Sequence, residues 1–335
     1  MSPSTPLATH RTKVNAEQSG RTVAAVVREL LDGLPWSKAR ALCSEGRVRH
    51  RGEIATDSAA RVRAGDEIEV LRTRAPRARD PEIRLLHVDA DVVVVDKPAG
   101  LVSVPYAEGE RDTLLHRTHA ALRRHEGGKH LPQLRVVQRL DKETSGVLVF
   151  ARTRRAEREL GQQLRRHDVH RLYLAIAYGS VRTATLDTWL VPDRGDRRRG
   201  SWQPRGRNPR PPTARRAVTH LEPAEHHAAL GLDWVPPDVP SPGLSLVRCR
   251  LETGRQHQIR IHLGEQGYPL VGERVYDRDY DGPRLHAFND GRGRPMLHAK
   301  ELGFRHPTRD LPLSFFADLP SDFADLLRQM RGDSD

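Results

Sequence analysis

The stretch VQRLDKETSGVLVFART, residues 137–153, places a charged turn directly before an apolar strand. Residues 147–150 have the composition of a buried strand. Asp141 lies in the turn between Arg139 and Lys142, and a carboxylate beside fixed cations stays ionised. An ionised, positioned carboxylate can act as a nucleophile, a base or a metal ligand. Because an aspartate in a Thr-Ser-Gly turn is also a common turn-forming residue, the rest of the chain has to decide between chemistry and local structure.

The composition indicates a large, basic protein with room for two domains. The chain has 335 residues, with 56 Lys and Arg against 44 Asp and Glu, which gives a formal net charge of +12. Such a surplus is typical of a protein that binds a polyanion, and nucleic acid is the leading candidate. The alternative is an arginine-rich composition without such a partner. Two cysteines far apart in sequence, Cys43 and Cys249, are typical of a reducing compartment and provide neither a disulfide framework nor a zinc-ligand pair.

The hydropathy pattern predicts a cytoplasmic protein. Residues 1–13 lack an apolar core of signal-peptide length. No apolar run approaches the ~20 residues that a helix needs to cross a bilayer. We therefore expect no membrane partner. Separately, we expect a monomer.

The first 82 residues divide into a tail, a small domain and a linker. Residues 1–20 are polar and aperiodic, which is typical of a flexible tail. Residues 21–71 contain two helical segments followed by short strands around Gly52, which predicts a small α/β domain. Residues 72–82 are rich in Pro and Arg and predict a linker.

Residues 83–330 form the predicted second domain. The continuous apolar run at 92–95 predicts a strand in it, and residues 244–251 also have strand character. Residues 191–216 are dense in Arg, Gly and Pro, which predicts an exposed, flexible basic insertion. Residues 224–242 contain a Pro-Pro pair and predict a further loop.

The turn around Asp141 is one of several motifs that follow one another along the second domain. In chain order they are VVDKPAG at 94–100, RLD with TSG at 139–146, RLY at 171–173, LETGRQHQIRIHL at 251–263, GYPLVG at 267–272 with Tyr276, and LHA at 297–299 with Phe304, His306 and Pro307. Together they resemble the RluA-type pseudouridine synthases over nearly all of residues 83–325. One such motif would be weak evidence, but several in order leave little room for chance.

The resemblance implies an α+β catalytic domain with a mixed, largely antiparallel sheet and an active-site cleft across it. By resemblance, Asp141 is the nucleophile, and Arg260 pairs with it and keeps it charged and oriented. Tyr173 would stack on the target base and could help to move a proton. Arg139 would fill the gap that is left when the uridine is flipped out of its stack.

The implied reaction needs no cofactor. Pseudouridine formation breaks the bond between a uracil nitrogen and ribose, rotates the base and rejoins it through carbon. Because no redox change occurs, neither a nicotinamide nor a flavin is needed. A metal hydrolase is the alternative that the histidines suggest, but no zinc-ligand spacing fits them, and we expect no metal site. They are His116, His119, His125, His257 and His262.

Residues 21–71 resemble the S4-like RNA-binding domain. The shared features are two helices, GRV at 46–48, the hairpin at Gly52 and AGDEI at 64–68. The resemblance implies a basic face that follows phosphates without reading bases. The alternative is a solvated surface. The arginines of this face would be Arg40, Arg47, Arg49 and Arg51.

Two positions depart from a simple match. Many family members have His where this chain has Gln138, which bears on substrate geometry rather than on the nucleophile. Around Arg260, apolar and polar residues alternate, which by itself predicts a strand. The family places this motif on a helix that ends near Gly267, and we follow the family.

The expected substrate is RNA. The N-terminal domain resembles the arrangement in family members that modify large-subunit ribosomal RNA, so we expect ribosomal RNA. Other members act on transfer RNA, with or without such a domain, and transfer RNA is the alternative. A non-catalytic RNA-binding or ribosome-assembly protein is a further alternative. Loss of Asp141, Tyr173 or Arg260 would have favoured it, and all three are present.

Overall fold

A computed structural model describes residues 8–55, 58–72, 82–106, 112–128, 131–204, 209–228, 231–235, 241–289 and 293–332. The chain forms two compact units, Met1–Pro81 and Glu82–Asp335, which we call the N-terminal and C-terminal units. Most of the predicted linker, residues 73–81, lies outside the described residues.

The N-terminal unit combines two helices with a four-stranded sheet. Thr22 caps the first helix by accepting a hydrogen bond from the N–H of Ala25, and Val26 and Val27 are buried in the core of the unit. The strands lie in the order β1-β4-β2-β3 and their pairs are antiparallel. The elements are β1 Ala8–Lys13, α1 Val23–Leu30, α2 Trp36–Ser44, β2 Val48–His50, β3 Glu53–Ile54 and β4 Glu67–Leu71.

Part of the predicted flexible tail is ordered. We expected residues 1–20 to be mobile, but Ala8–Lys13 form β1 and pair with β4. Arg11 on this strand forms ion pairs with Glu67 and Glu69 of β4. An edge strand is stabilised by backbone hydrogen bonds and can keep polar side chains in water, so it shows no apolar period. Residues 1–7 lie outside the described residues.

The C-terminal unit is built around one large sheet with helices beside it. Its elements up to the middle of the unit are β5 Arg84–Val88, β6 Val92–Lys97, α3 Leu114–His125, β7 Arg135–Val136, β8 Ser145–Ala151, α4 Arg154–Arg166, β9 His170–Tyr178, β10 Ala184–Val191, β11 Gly200–Ser201 and β12 Arg215–His227. They are followed by β13 Trp234–Val235, β14 Leu244–Leu251, α5 Gln258–Glu265, β15 Arg284–Leu285, α6 His286–Asn289, β16 Leu297–Arg305, β17 Pro312–Phe316 and α7 Ser321–Arg331.

The sheet confirms the predicted α+β fold with mixed, largely antiparallel pairing. Its order is β11-β10-β12-β14-β9-β16-β8-β6-β5, with β17 beside β16 and β7 beside β8. The β8–β16 pair is parallel and the other described pairs are antiparallel. Gly146 has a φ of 115°, and a Cβ there would lie 2.1 Å from the carbonyl oxygen of Ala299. Glycine therefore allows β16 to approach the strand that begins just after Asp141.

Two segments that we predicted as loops carry more structure than expected. In the 191–216 segment, β11 pairs with β10, and Asp193 accepts hydrogen bonds from the N–H groups of Gly195 and Arg197. Residues 205–208 of this segment are not described. In the second segment, β12 continues to His227 and pairs with β14 from Thr219 onwards. Residues 229–230 and 236–240, which include the Pro-Pro pair, lie outside the described residues. Backbone pairing to a buried neighbour strand orders these polar sequences, although their composition is that of loops.

The motif around Arg260 forms the helix α5, as the family resemblance predicted, and the strand indicated by periodicity is wrong. Residues 258–263 are all buried, so the helix has no polar face and no helical stripe of apolar residues. Its buried polar groups are satisfied by tertiary partners. For example, Gln258 bonds to Thr253, to Thr219 and to backbone groups. The alternating pattern therefore reflects buried polar contacts rather than two faces of a strand.

Candidate active site

A cleft of about 590 Å³ lies in the C-terminal unit. It is lined by the turn before β8, by β9, by the C-terminal half of α4 and by the segment that leads from β14 into α5. Its described lining residues include a single carboxylate, that of Asp141. The lining also includes five Lys and Arg residues, Arg139, Lys142, Arg165, Arg171 and Arg255. A cleft lined by one sign of charge raises the local concentration of ligands of the opposite sign.

The turn that carries Asp141 is held through its backbone. Ser103 Oγ donates to the carbonyl of Leu140 at 2.6 Å and accepts from its N–H at 3.1 Å. On the other side of Asp141, Lys97 Nζ donates to the carbonyls of Lys142 at 2.9 Å and Thr144 at 2.7 Å. The Asp141 side chain is 23% exposed and lines the cleft. The backbone is thus fixed on both sides of a carboxylate that substrate can reach.

Lys97 is completely buried at the end of β6. Its third hydrogen bond goes to the carbonyl of Pro98 at 3.0 Å. Burial lowers the pKa of Lys97 to about 7, while Glu143 and Asp141 act in the opposite direction. Three carbonyl acceptors match the three N–H groups of an ammonium. Since Lys97 does not line the cleft, its place in the structure is that of an anchor for the Asp141 turn.

Tyr173 lies on β9 and lines the same cleft as Asp141. Its ring packs against the two apolar clusters that contain Leu140 and Leu251. Burial raises the pKa of Tyr173 to about 12, against the lowering effect of Arg171. The hydroxyl therefore keeps its proton at neutral pH and can act as a donor, and the ring offers an apolar face to a base.

Arg260 does not pair with Asp141 as we predicted. Its guanidinium donates two hydrogen bonds to Glu273, both at 2.7 Å, and both side chains are buried. Burial alone would lower the pKa of Arg260, but its bonds to Glu273 raise it overall. A buried guanidinium needs a carboxylate within contact, and Glu273 provides one that accepts in the bidentate geometry. The charge of Arg260 reaches Asp141 only as a longer-range attraction.

At the start of α5, the side chain of His257 lies close to Asp141. Its Nε2 lies 4.0 Å from Asp141 Oδ1, and its Nδ1 lies 2.7 Å from the hydroxyl oxygen of Tyr276. Its backbone has a φ of 59°, which is uncommon for a residue with a side chain. Burial lowers the pKa of His257, while Asp141 raises it.

The cationic side chains of the cleft differ in how they are held. Arg139 and Arg165 are exposed and make no hydrogen bond or ion pair with another described residue. Arg171 is buried on β9 and donates to the carbonyl of Glu252 at 2.5 Å. Its Nε has no partner among the described residues. The structure thus brings Asp141, Tyr173 and Arg139 to one cleft, with exposed cations at its surface.

The four arginines predicted in the N-terminal unit do not form one free basic face. Arg47 donates to the backbone carbonyls of Leu71 and Arg72. Arg49 lies 3.6 Å from a Glu69 oxygen, and Arg51 lies 2.6 Å from Asp66. Arg40 is exposed and makes no such contact with another described residue.

Several residues of the site were not identified from the sequence. Lys97 belongs to the motif at 94–100, and a lysine at the end of a buried strand is a usable signal for its role. Glu273 and Tyr276 lie beyond α5, and only the fold brings them next to Arg260 and His257. His257 was considered among the metal-ligand alternatives alone. No sequence spacing indicates that it would meet Asp141.

The side chains of the described residues are not arranged as the alternative of a metal site requires. In the described ranges, no group of three or more His, Cys, Asp or Glu side chains is placed to hold a metal ion. His262 instead bonds to Thr188 and Thr219, both at 2.9 Å. The described helices also contain no segment with the length and apolar character needed to cross a membrane.

Comparison with known proteins identifies the family. The RNA pseudouridylate synthase family model matches residues 91–265. "Ribosomal large subunit pseudouridine synthase D" of Xanthomonas campestris pv. campestris is 34% identical over 326 residues, which cover 94% of this chain and 91% of the relative. The Escherichia coli protein of the same name is 28% identical and covers 96% of this chain and 94% of the relative.

A solved structure supports the fold independently. Human RNA Pseudouridylate Synthase Domain Containing 4 superposes with a TM-score of 0.56 at 22% identity, covering 74% of this chain and 93% of that chain. The chain belongs to the RNA pseudouridylate synthase family. It is an isomerase that converts uridine in RNA to pseudouridine, which confirms the predicted activity. The family comparisons do not show an S4-like domain in residues 21–71, so that assignment stays a prediction.

Proposed function

We propose that this enzyme isomerises specific uridines of large-subunit ribosomal RNA. The substrate class comes from the relatives that match it along more than nine tenths of its length, which are named as ribosomal large-subunit synthases. The observation that carries the chemistry is the lone carboxylate of Asp141 in a cleft whose other charged lining residues are cationic, with Tyr173 beside it. We take the enzyme to be a cytoplasmic monomer.

The roles of the site residues follow from their surroundings. The family resemblance makes Asp141 the nucleophile, and its backbone anchored on both sides and its side chain in the cleft support this role. Asp141 forms a transient bond to the nucleoside, and the ribose–N1 bond breaks. The base turns, a ribose–C5 bond forms, and the bond to Asp141 breaks again before the product leaves. The C5 proton then leaves and N1 ends with a proton, so atoms balance without an oxidant. Tyr173 stacks on the base and donates from its protonated hydroxyl.

Two arginines support this reaction from different positions. Arg139 is exposed beside the nucleophile and fills the space that a flipped uridine leaves in its stack, which offsets part of the unstacking free energy. Arg260 pairs with Glu273, and this pair fixes the helix next to the cleft. The positive charge of Arg260 also attracts the carboxylate of Asp141 at longer range. Arg260 is therefore a positioning residue in this arrangement.

The N-terminal unit supplies RNA affinity in this proposal. Residues 21–71 hold the helices and the hairpin of the S4-like resemblance, and Arg40, Arg47, Arg49 and Arg51 contact phosphates. A guanidinium has five N–H donors, so an arginine with one carboxylate partner retains donors for a phosphate. Arg40 is the one of the four that makes no hydrogen bond or ion pair with another described residue through its side chain.

The Asp141→Asn variant tests the nucleophile. We expect it to abolish pseudouridine formation while RNA binding stays within a few-fold of wild type. Only one carboxylate oxygen becomes an amide, so the fold and the basic surface persist. Turnover is measured on ribosomal RNA with purified enzyme, and binding by a filter or fluorescence assay. Measurable turnover by the pure variant would contradict the assignment.

The RNA class is tested separately by mapping pseudouridine across all RNAs of a deletion strain. Loss of one or a few large-subunit ribosomal sites supports the proposal, and loss confined to transfer RNA would replace its substrate. A deletion phenotype that the Asp141→Asn variant fully rescues would instead favour a non-catalytic role in ribosome assembly.

A further inference from the structure

We propose that His257 is a positioning residue that aims one oxygen of Asp141 through an Nε2–H fixed by Tyr276. The inference deepens the proposed function, because it rests on Asp141 as the nucleophile. It starts from geometry. His257 Nε2 lies 4.0 Å from Asp141 Oδ1, and the two side chains are 24% and 23% exposed. Both line the cleft, so a shift of about one ångström on substrate binding brings them within hydrogen-bond distance.

The backbone of His257 is held in an unusual conformation for this placement. It caps the N-terminus of α5 with a φ of 59° and a ψ of 18°, and its side chain makes no capping hydrogen bond to the helix. A non-glycine residue persists in the left-handed region where its surroundings determine the conformation, and such residues cluster at functional sites. Because the imidazole makes no capping hydrogen bond to the helix, the left-handed conformation instead places it beside Tyr276 and close to Asp141.

Asp141 and Tyr276 together determine which ring nitrogen of His257 carries the proton. The hydroxyl oxygen of Tyr276 is 2.7 Å from Nδ1, and the two rings meet edge to face at 5.6 Å. Burial raises the pKa of Tyr276 to about 12, so its hydroxyl is protonated at neutral pH. A neutral imidazole beside a carboxylate is most stable with its N–H towards that carboxylate. Tyr276 therefore donates to Nδ1, and the Nε2–H of His257 points towards Asp141.

The charged groups around His257 agree with a neutral ring whose dipole points at Asp141. Asp141 faces it from the turn before β8, Arg260 and Glu273 from α5 and the segment after it, and Arg199 from the segment between β10 and β12. Arg260 and Glu273 are bonded to each other, so their charges largely cancel at the imidazole. Asp141 is left as the main anionic neighbour. No bond to His257 forms or breaks in the reaction, and its proton stays in place.

The substitution His257→Asn tests the role in activity. Asparagine tolerates the left-handed backbone better than other non-glycine residues, so the fold should persist, but its side chain is too short to reach Asp141. We expect kcat at saturating RNA to fall about 10²-fold with RNA binding unchanged, since misplacing a reacting group by about 1 Å has this effect. His257→Gln, whose amide N–H can reach the carboxylate, should recover part of the rate. Wild-type kcat in His257→Asn would overturn the proposal.

A matched control is His220→Asn. His220 is 23% exposed and 2.7 Å from a Glu252 oxygen, but it does not line the cleft. Its replacement should leave kcat within two-fold of wild type. An equal fall in kcat for both variants would show a general effect of losing a half-buried histidine, and it would overturn the specific role.

Imidazole ¹⁵N chemical shifts provide a readout that does not depend on turnover. We expect the Nε2–H form at His257 in the wild type, and a mixture of both forms in Tyr276→Phe. Asp141→Asn should lower the pKa of His257, because the neighbouring anion is lost. An Nδ1–H form in the wild type overturns the proposal even if the variants lose activity. Conversely, if Asp141→Asn retains turnover while the shifts are as expected, the nucleophile assignment fails and the His257 geometry stands.

Discussion

The arginines of the cleft and those of the N-terminal unit are in opposite electrostatic situations. In the cleft, five cationic side chains accompany one carboxylate, and Arg139 and Arg165 have no described partner. In the N-terminal unit, acidic side chains lie against most of the predicted basic face. Three of its four arginines lie within 4.0 Å of a carboxylate, which are Arg47 with Glu45, Arg49 with Glu69 and Arg51 with Asp66. Arg11 on β1 also pairs with Glu67 and Glu69.

The difference shows what a net charge can and cannot locate. A formal charge of +12 indicates a polyanionic partner for the whole chain. The field at a given surface depends on which cations have carboxylates within contact, since an ion pair cancels most of its own potential. The same number of arginines can therefore attract RNA strongly in one region and weakly in another. Variants of paired and unpaired cations test this comparison directly.

The largest effect is expected where a cation is both paired and buried. Arg260→Ala leaves Glu273 buried without its partner, and breaking such a pair costs about 3–5 kcal/mol of unfolding free energy. The variant should melt at a clearly lower temperature and lose activity. Calorimetry and a single-turnover assay measure the two quantities.

The double variant Arg260→Met with Glu273→Leu is the control for that prediction. Replacing both members of a buried pair by apolar groups is often neutral for stability. Because Glu273 also accepts from the N–H groups of Arg274 and Val275, the melting temperature should recover only in part, while activity stays lost. An unchanged melting temperature in Arg260→Ala would contradict a stabilising role for the pair.

The next largest effect is expected at Lys97. Lys97→Met removes three hydrogen bonds to backbone carbonyls around the Asp141 turn without changing the cleft lining. We expect kcat to fall about 10²-fold because the nucleophile is no longer held in place. Binding of RNA should stay near wild type. Full activity in this variant would show that Ser103 and Arg294, which donates to the carbonyl of Glu143, hold the turn without Lys97.

Lys97 also predicts a pH dependence of stability. Burial lowers its pKa in the folded protein to about 7, whereas an unfolded lysine titrates near 10.5. Between these values the unfolded chain binds the extra proton, so stability rises with pH and the gain is complete above the unfolded pKa. The stability of wild type relative to Lys97→Met should therefore rise from pH 7 to pH 10. A flat difference would mean that the buried ammonium stays charged throughout.

A smaller effect is expected at the rim of the cleft. Arg165→Gln removes a cation that has no described partner, and each phosphate contact on single-stranded RNA contributes about −0.7 to the slope of log affinity against log salt. The slope should flatten by about this amount, with kcat at saturating RNA unchanged. Arg166→Gln is the matched control, since Arg166 is exposed on the same helix but does not line the cleft. An equal change in both variants would mean that the cleft has no special role in binding.

The smallest effects are expected in the N-terminal unit. Arg40→Gln should flatten the slope of log RNA affinity against log salt by at most about 0.7, which is the contribution of one phosphate contact. Arg51→Gln should change it less, because Asp66 already lies 2.6 Å from that guanidinium. Salt titrations of RNA binding with the intact chain distinguish the two. A larger change for Arg51 than for Arg40 would show that an ion pair does not prevent phosphate binding here.

Local sequence was sufficient for much of the fold and for the nucleophile. The strands β6 and β8 contain continuous apolar runs, so hydrophobic burial alone indicates them. In β14 the exposed Arg248 and Arg250 alternate with buried residues, which also indicates a strand. Ordered motifs identified the family and with it Asp141 and Tyr173, which the structure places in one cleft. The charge surplus indicated a polyanion without locating its surface.

Tertiary structure alone decided the partners of the site residues. Arg260 bonds to Glu273 rather than to Asp141, His257 meets both Tyr276 and Asp141, and α5 is a helix despite its alternating sequence. The physical reason is that buried polar groups take whichever acceptors the fold brings within about 3 Å, and those acceptors lie on segments distant in sequence. The sequence determined which side chains would need partners, and the packing of the sheet against α5 determined which partners they found.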